Sequence, residues 1–424
     1  MISLLLLGCG EPNQCTTSVT ANTHDAVISW SKADIDLMRV VFEGESRNLM
    51  VDGTQQRLAG LPPQSHIEVQ LYQDSTEKCS TTFKTGGLPP ELPWIAQSQV
   101  QGHSAWKGII GTTMGEDAAT WVLDNTGRFR WHSAVEPDRI VSDIHSTDTA
   151  IWHNSASSDA QTADSELIQK DFQAAEIQVL DTPYGHHVFH LHTDGSIAQL
   201  EVDIRPWTNP QTQNEEMVVG DRIVRITADG ERRELFSLWE HAQPSINPHW
   251  NSGFYGSYKD WSHANSLHFS EARNSYLVAF ANLNQIFEID ATSGEVLLVI
   301  DSQQWFFTFE TPVFNYPHGP VWLDDNQLML FTHSDDIGTA VIYDVDAESQ
   351  VLDQVWAYSS PISAGFLGQA IPLPDGHILV NFGGSGMLHE VDRNGQLVWQ
   401  AETALGTWFG NVEVWQEWPK WFAP

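Results

Sequence analysis

Three histidines, His187, His263 and His318, recur at one phase of a repeating pattern, and an imidazole is a group that can carry chemistry at neutral pH. His187 precedes Gly195 by 8 residues and His318 precedes Asn326 by 8, while His263 precedes Asn274 by 11 across a longer turn. Their contexts are Tyr184-Gly185-His186-His187, Asp260-Trp261-Ser262-His263-Ala264-Asn265-Ser266 and Asn315-Tyr316-Pro317-His318-Gly319-Pro320. A neutral imidazole is a competent nucleophile near pH 7 and an imidazole pair can pass a proton. Three imidazoles could also hold zinc or copper, but the sequence offers no matching carboxylate shell and no CxxC or Cys/His spacing, so no metal is expected. With 18 histidines in the chain, one taken alone is more often structural. The shared phase is what singles these three out.

The elements that position them are strands. From about residue 94 the text repeats a unit of four short apolar runs separated by Asp/Asn/Gly turns. Val321–Phe331, Val341–Val345 and Gln354–Tyr358 form one copy; Ala370–Val380, Leu388–Asp392 and Gly395–Trp399 form the next. An earlier copy runs through Ser266–Phe269, Tyr276–Phe280, Ile286–Asp290 and Gly294–Leu298. Less regular copies lie near 186–240, 138–180 and 103–135. Four strands recurring every 40–50 residues or so are the mark of a propeller blade. The expected fold is therefore all-β, a six-bladed β-propeller over 94–424, with Gly410–Trp415 as a closing strand. The innermost strand of each blade lines the central channel, so residues at its entry converge although they are distant in sequence.

Before it, 15–86 reads as a small β-sandwich of the immunoglobulin or fibronectin type III kind. Its strands include Ala26–Trp30, Met38–Phe42 and His66–Tyr72, and a Gly/Pro-rich linker over 87–93 follows. Residues 1–14 read as the remnant of an export signal and tether. Leu6-Leu7-Gly8-Cys9 is similar to a bacterial lipobox, with Cys9 as the lipidated residue, although the basic region and longer apolar stretch of a signal peptide would have to precede this start. Four leucines are too few to span a bilayer. Export would make a disulfide between the remaining cysteines, Cys15 and Cys79, the favoured pairing. The protein is then expected in the periplasm or at the cell surface, touching the membrane through a lipid anchor. Lys plus Arg total 20 against 55 Asp plus Glu, a formal charge of -35, which argues against nucleic acid as a partner. Oligomeric state is not legible.

The motif Asp260-Trp261-Ser262-His263-Ala264-Asn265-Ser266-Leu267, with Ile286–Asp290 after a variable turn, resembles the signature of the bacterial arylsulfate sulfotransferases. So do the His186-His187 segment with Val219–Val224, the His318 segment and Leu373–Leu379, over roughly residues 180–400. The resemblance implies an enzyme that moves a sulfuryl group from an aryl sulfate ester to a phenolic acceptor without a nucleotide or other cofactor. It implies that His318 is the nucleophile that becomes transiently sulfated. It also implies that His263 and His187, or His186, bind sulfuryl oxygens or move the phenol proton. Asn265, Asn282 and His333 are further candidates at the substrate, while His377 is expected on the surface. Trp305–Phe307, Phe309, Phe314, Tyr316 and Trp322 either clasp an aryl ring or fill the core between blades. The sequence departs from the family pattern at Ala281, where an arginine is expected to steady the sulfate; Asn282 or Arg273 are the groups at hand to replace it. The alternative is a catalytically inactive, lipid-anchored propeller that binds or adheres.

Overall fold

The computed structural model describes residues 2–4, 15–31, 34–90, 92–100, 104–115, 118–136, 138–157, 164–307, 314–334, 337–419 and 422. The fold is all-β. Cys9 and Phe309 lie outside the described residues. No helix among the described residues is long and apolar enough to cross a membrane.

The first module has two four-stranded sheets. One joins Thr17–Ala21, Ala26–Trp30 and Gln55–Leu58, with Ile2–Leu4 at its edge; the other runs Glu45–Met50, Leu37–Phe42, His66–Gln73, Thr76–Lys84. Alternation drives this pairing: Ala26, Ile28 and Trp30 point inward from one strand, and Ile67, Val69 and Leu71 from another, into one apolar core. Cys15 and Cys79 are disulfide-bonded, with Cα atoms 5.5 Å apart, as the sequence led us to expect.

Six further sheets follow among the described residues, antiparallel apart from two short parallel pairings, Val218–Val219 with Lys259–Asp260 and Phe306–Phe307 with Val351–Leu352. One strand of each, in chain order, is Gly108–Gly115, Ile144–Ser146, Gly185–Leu191, Ala264–Ser270, His318–Trp322 and Gln369–Pro372. Thr407–Trp415 pairs with Gly108–Gly115, so the last strand belongs to the first of these sheets. Ile95–Gln99 pairs with Leu397–Thr403 at the edge of the sixth. Interior strands such as Ala119–Asp124 and Ser275–Phe280 are buried along their whole length, as expected of sheets covered on both faces. The cores show what covers them. Phe236, Tyr276 and Phe280 join the third sheet to the fourth, and Leu277, Leu330 and Tyr343 the fourth to the fifth. Trp121, Leu379, Trp399 and Phe409 join the sixth back to the first.

The C-terminal tail returns to the first module. Phe422 is fully buried and bridges to Ala59, and Arg47 donates to the carbonyl oxygens of Trp418, Pro419 and Phe422 at 3.2, 2.8 and 2.7 Å.

Candidate active site

Each predicted histidine stands in, or immediately before, an edge strand whose register is irregular. The register slips between Gly185 and Phe189 in one sheet, between Ala264 and Ser266 in the next, and between His318 and Val321 in the third. A bulge of this kind turns a side chain out of the ladder. His187 and His263 take positive φ values of 52° and 50°, as does Tyr316 at 51°. That conformation costs a bulky residue about 1–3 kcal/mol and persists where its surroundings dictate it.

The three histidines come together. The rings of His187 and His263 are 5.1 Å apart between centroids. Tyr316 lies between the other two, 5.7 Å from His263 and 5.7 Å from His318. His333 also joins the group, 5.3 Å from His318, and its Nδ1 bonds the carbonyl of Ala364 at 2.6 Å. His186 and His187 meet through their Nδ1 atoms at 2.7 Å, so one ring donates to the other. Asn265 donates to the Pro317 carbonyl at 3.0 Å and holds the His263 strand against the His318 strand. Asn282 donates to the backbone carbonyl of Asp260 at 3.2 Å, and its side-chain oxygen is buried without a hydrogen-bond partner.

Two buried aspartates stand behind the imidazoles. Asp260 accepts from His263 Nδ1 at 3.0 Å. A carboxylate can only accept, so Nδ1 carries the proton and Nε2 holds the lone pair whenever the ring is neutral. Asp221 Oδ1 lies 3.0 Å from His186 Nε2, out of line for a hydrogen bond, while Oδ2 accepts from Ser262 and from the Ala264 amide at 2.6 and 2.7 Å. Sequence reasoning passed over both aspartates, although the placement of Asp260 three residues before His263 was a usable signal.

Burial, reinforced by the neighbouring imidazoles, pushes His187 and His318 well below the ordinary histidine range. Both are neutral at pH 7, as a nucleophile or base must be. Burial also drives the Tyr255 and Tyr316 hydroxyls upward, helped by the nearby aspartates. Phe254 stacks on His187 at 5.7 Å and 25° and meets His263 edge-on at 4.8 Å; it arrives on the 241–258 segment, which carried no sequence signal for the site.

Arg273 does not reach the cluster. Its guanidinium grips Glu288 at 2.7 and 3.0 Å and lies 4.6 Å over Trp322. Ala281 is buried, its amide bonded to the His263 carbonyl at 3.1 Å. Of the aromatics considered for an aryl clasp, Tyr316 stands among the histidines, whereas Trp305 and Phe314 are core. His377 is half-buried, bonded to Glu390 at 2.8 Å. With Asp375 these make up the trio of His and carboxylate donors, among the described residues, that come within 4.8 Å of one another.

The Arylsulfotransferase (ASST) family model matches residues 72–318, well over half of the chain. The chain belongs to the arylsulfotransferase family. The matched segment contains His186, His187, His263 and His318. No curated protein sequence matches the chain. Among solved structures, a protein of unknown function from Bacteroides caccae has a TM-score of 0.43 at 14% identity, covering 74% of this chain and 100% of its own. The periplasmic gluconolactonase of Pseudomonas aeruginosa has a TM-score of 0.42 at 12% identity, covering 72% and 98%. A streptogramin B lyase has a TM-score of 0.39 at 15% identity, covering 76% and 98%. This arylsulfotransferase-family chain opens two cavities around its histidines. One, of about 670 Å³, is bordered by His186 and His187; the other, of about 300 Å³, by Asn265 and His318.

Proposed function

We propose that this arylsulfotransferase-family protein transfers a sulfuryl group from an aryl sulfate ester to a phenol through a sulfated His318. The observation that carries the reading is the meeting of His187, His263 and His318 from three separate sheets, within a segment that the family model spans. In the first half-reaction the unprotonated nitrogen of His318 attacks sulfur, the S–O(aryl) bond breaks, and the departing aryl oxide takes a proton from a neighbouring imidazolium, leaving it a neutral imidazole. In the second, the acceptor's oxygen attacks the same sulfur, the N–S bond breaks, and the acceptor's proton passes to that imidazole. Splitting the transfer lets one set of groups serve both halves. His263, oriented by Asp260, and His187 are the acid–base and oxygen-binding partners, with His186, Asn265, Asn282 and His333 around them.

The scaffold reading goes with this. The six sheets, with the last strand paired into the first sheet and the sixth core shared with the first, are read as the blades of a β-propeller over 94–424. The preceding 15–86 is read as a fibronectin III-like sandwich and 87–93 as the linker. The Cys15–Cys79 disulfide supports an oxidising, extracytoplasmic setting, in keeping with periplasmic or surface display on a lipid anchor at Cys9.

Incubation with a radiolabelled aryl sulfate, followed by acid-free denaturation and peptide mapping, should find label on the His318 peptide. Addition of a phenol should discharge it. Unlabelled wild type, or a His318→Asn variant that still turns over, rules out the covalent reading. A second reading, a binding propeller without turnover, is favoured by one observation: Ala281 is buried where an arginine is expected, and Arg273 is held by Glu288. Tight binding of aryl sulfate with no labelling would select it.

A further inference from the structure

We infer that the 670 Å³ cleft beside His187 is the aryl subsite and that it takes large, uncharged, multi-ring arenes. This rests on the sulfuryl-transfer reading of the histidine cluster and adds the class of substrate. The cleft volume is in the middle of the range, about 300–1,000 Å³, typical for drug-sized ligands, so a single phenol ring would leave most of it to water. Its walls are apolar side chains left open to solvent: Ile140, Tyr184, Phe254 and Phe366 are 42, 39, 49 and 45% exposed. Large hydrophobics gathered in one concavity of a chain with net charge -35 mark a place where an apolar ligand binds. Phe254 lies flat against His187, and Phe366, also in the lining, meets Trp408 edge-to-face at 5.3 Å. An arene in this cleft has aromatic faces to stack on and His186 and His187 at its border.

Charge narrows the class. Arg139 is the cation of the lining, and it is already committed. It pairs with Asp164 at 2.7 Å and Glu166 at 3.4 Å, and donates to the Ser155 hydroxyl and carbonyl, both at 2.9 Å. His187, neutral at pH 7, adds no charge. The sulfate end of a donor can meet the imidazoles, but a second anionic group on the arene would face an apolar wall in a negative field.

The probes are 2-naphthol, 1-hydroxypyrene and its trisulfonated counterpart pyranine, with binding read by fluorescence anisotropy or tryptophan quenching. 1-Hydroxypyrene should bind at least about tenfold more tightly than 2-naphthol, as expected from the extra apolar area removed from water, and pyranine should not compete. Phe366→Ala should weaken 1-hydroxypyrene about tenfold, and Trp408→Ala likewise. His318→Asn should leave its affinity unchanged, which separates this inference from the covalent mechanism: that mechanism fails by loss of labelling with binding intact. Equal affinity for the two neutral arenes, binding indifferent to both wall substitutions, or pyranine binding as tightly as 1-hydroxypyrene would overturn the assignment.

Discussion

Replacing Asp260 by Asn should silence sulfuryl transfer while leaving the fold standing. Asp260 is buried, accepts from His263 Nδ1 at 3.0 Å and from the Ser252 hydroxyl at 3.1 Å, and its other oxygen has no hydrogen-bond partner. Among the described residues no lysine or arginine forms a salt bridge to it. An asparagine of the same shape can turn its amide toward the ring and donate to Nδ1, moving the imidazole proton to Nε2. His263 would then present the wrong tautomer to substrate. Loss of one acid–base partner costs on the order of 10²–10⁴ in rate, about 2.7–5.5 kcal/mol of transition-state stabilisation. Stability should change by only about 1 kcal/mol, since one hydrogen bond is weakened while a buried charge is removed. The assay is turnover of a chromogenic aryl sulfate with a phenol acceptor, beside thermal unfolding of the same samples. Asp260→Asn should lower kcat and alter the pH profile with an unchanged melting temperature. Activity within about threefold of wild type, or a loss that follows unfolding, would refute the role of Asp260 as the positioning residue for His263.

Acid should destabilise the protein through histidines buried as neutral rings. Burial foremost pushes His24 and His153 down to about 4. The unfolded chain therefore binds more protons between about pH 6.5 and 4, and each site's stability is intact above 6.5 and falls by ~3 kcal/mol as pH drops to 4. Melting temperatures across that range should fall, and a His24→Gln/His153→Gln double variant should show a shallower slope; an identical slope refutes it. His145 runs the other way: burial opposes its charge, but Asp143 and Glu413 prevail and push it up to about 10. Its stabilisation is present below 6.5 and lost as pH rises through about 10, so His145→Gln should flatten the alkaline limb of the same melting curve. Arg47→Ala, which frees three tail carbonyls, should cost about 1.5–3 kcal/mol, and Arg47→Lys should recover little, since a single ammonium cannot reproduce the fork; an unmoved unfolding midpoint in the alanine variant refutes the strap. Cys15→Ser should cost about 2–5 kcal/mol by reopening a loop of 64 residues, and wild type under reductant should melt like the variant.

Sequence made the strands and their repeat visible because successive sheets alternate short apolar runs with Asp/Gly turns. The same phase pointed to His187, His263 and His318, since equivalent positions in repeated sheets lie near one another. Legibility ended where contacts depend on tertiary geometry. Phe254 sits on an irregular segment between two strands, with no period to align it, yet it stacks on His187. Asp221 and Asp260 read as ordinary acidic residues among 55, and only their burial beside imidazoles separates them from the surface. Arg273 looked free to replace a missing arginine, because nothing local announces that Glu288, 15 residues on, holds it. The tail's return to Arg47 joins residues 371–375 apart, a spacing no window can register.

The site's charge balance gives these pieces a common logic. A chain with net charge -35 disfavours anions near its surface, yet a sulfuryl donor is an anion. An arginine at Ala281 would have offset this with a permanent charge. Here the site instead gathers imidazoles, His187 and His318 held neutral and His263 bonded to a buried carboxylate. Neutral donors attract a ground-state sulfate weakly, and they bind most strongly where negative charge builds during transfer. Affinity for substrate then has to come from elsewhere. The apolar cleft beside His187 can supply it, because burying an arene does not depend on the sign of the protein's field. On this account enlarging the arene should lower KM and leave kcat nearly unchanged, whereas Asp260→Asn should act on kcat. A series in which both parameters move together for both perturbations would show that binding and chemistry are not divided in this way.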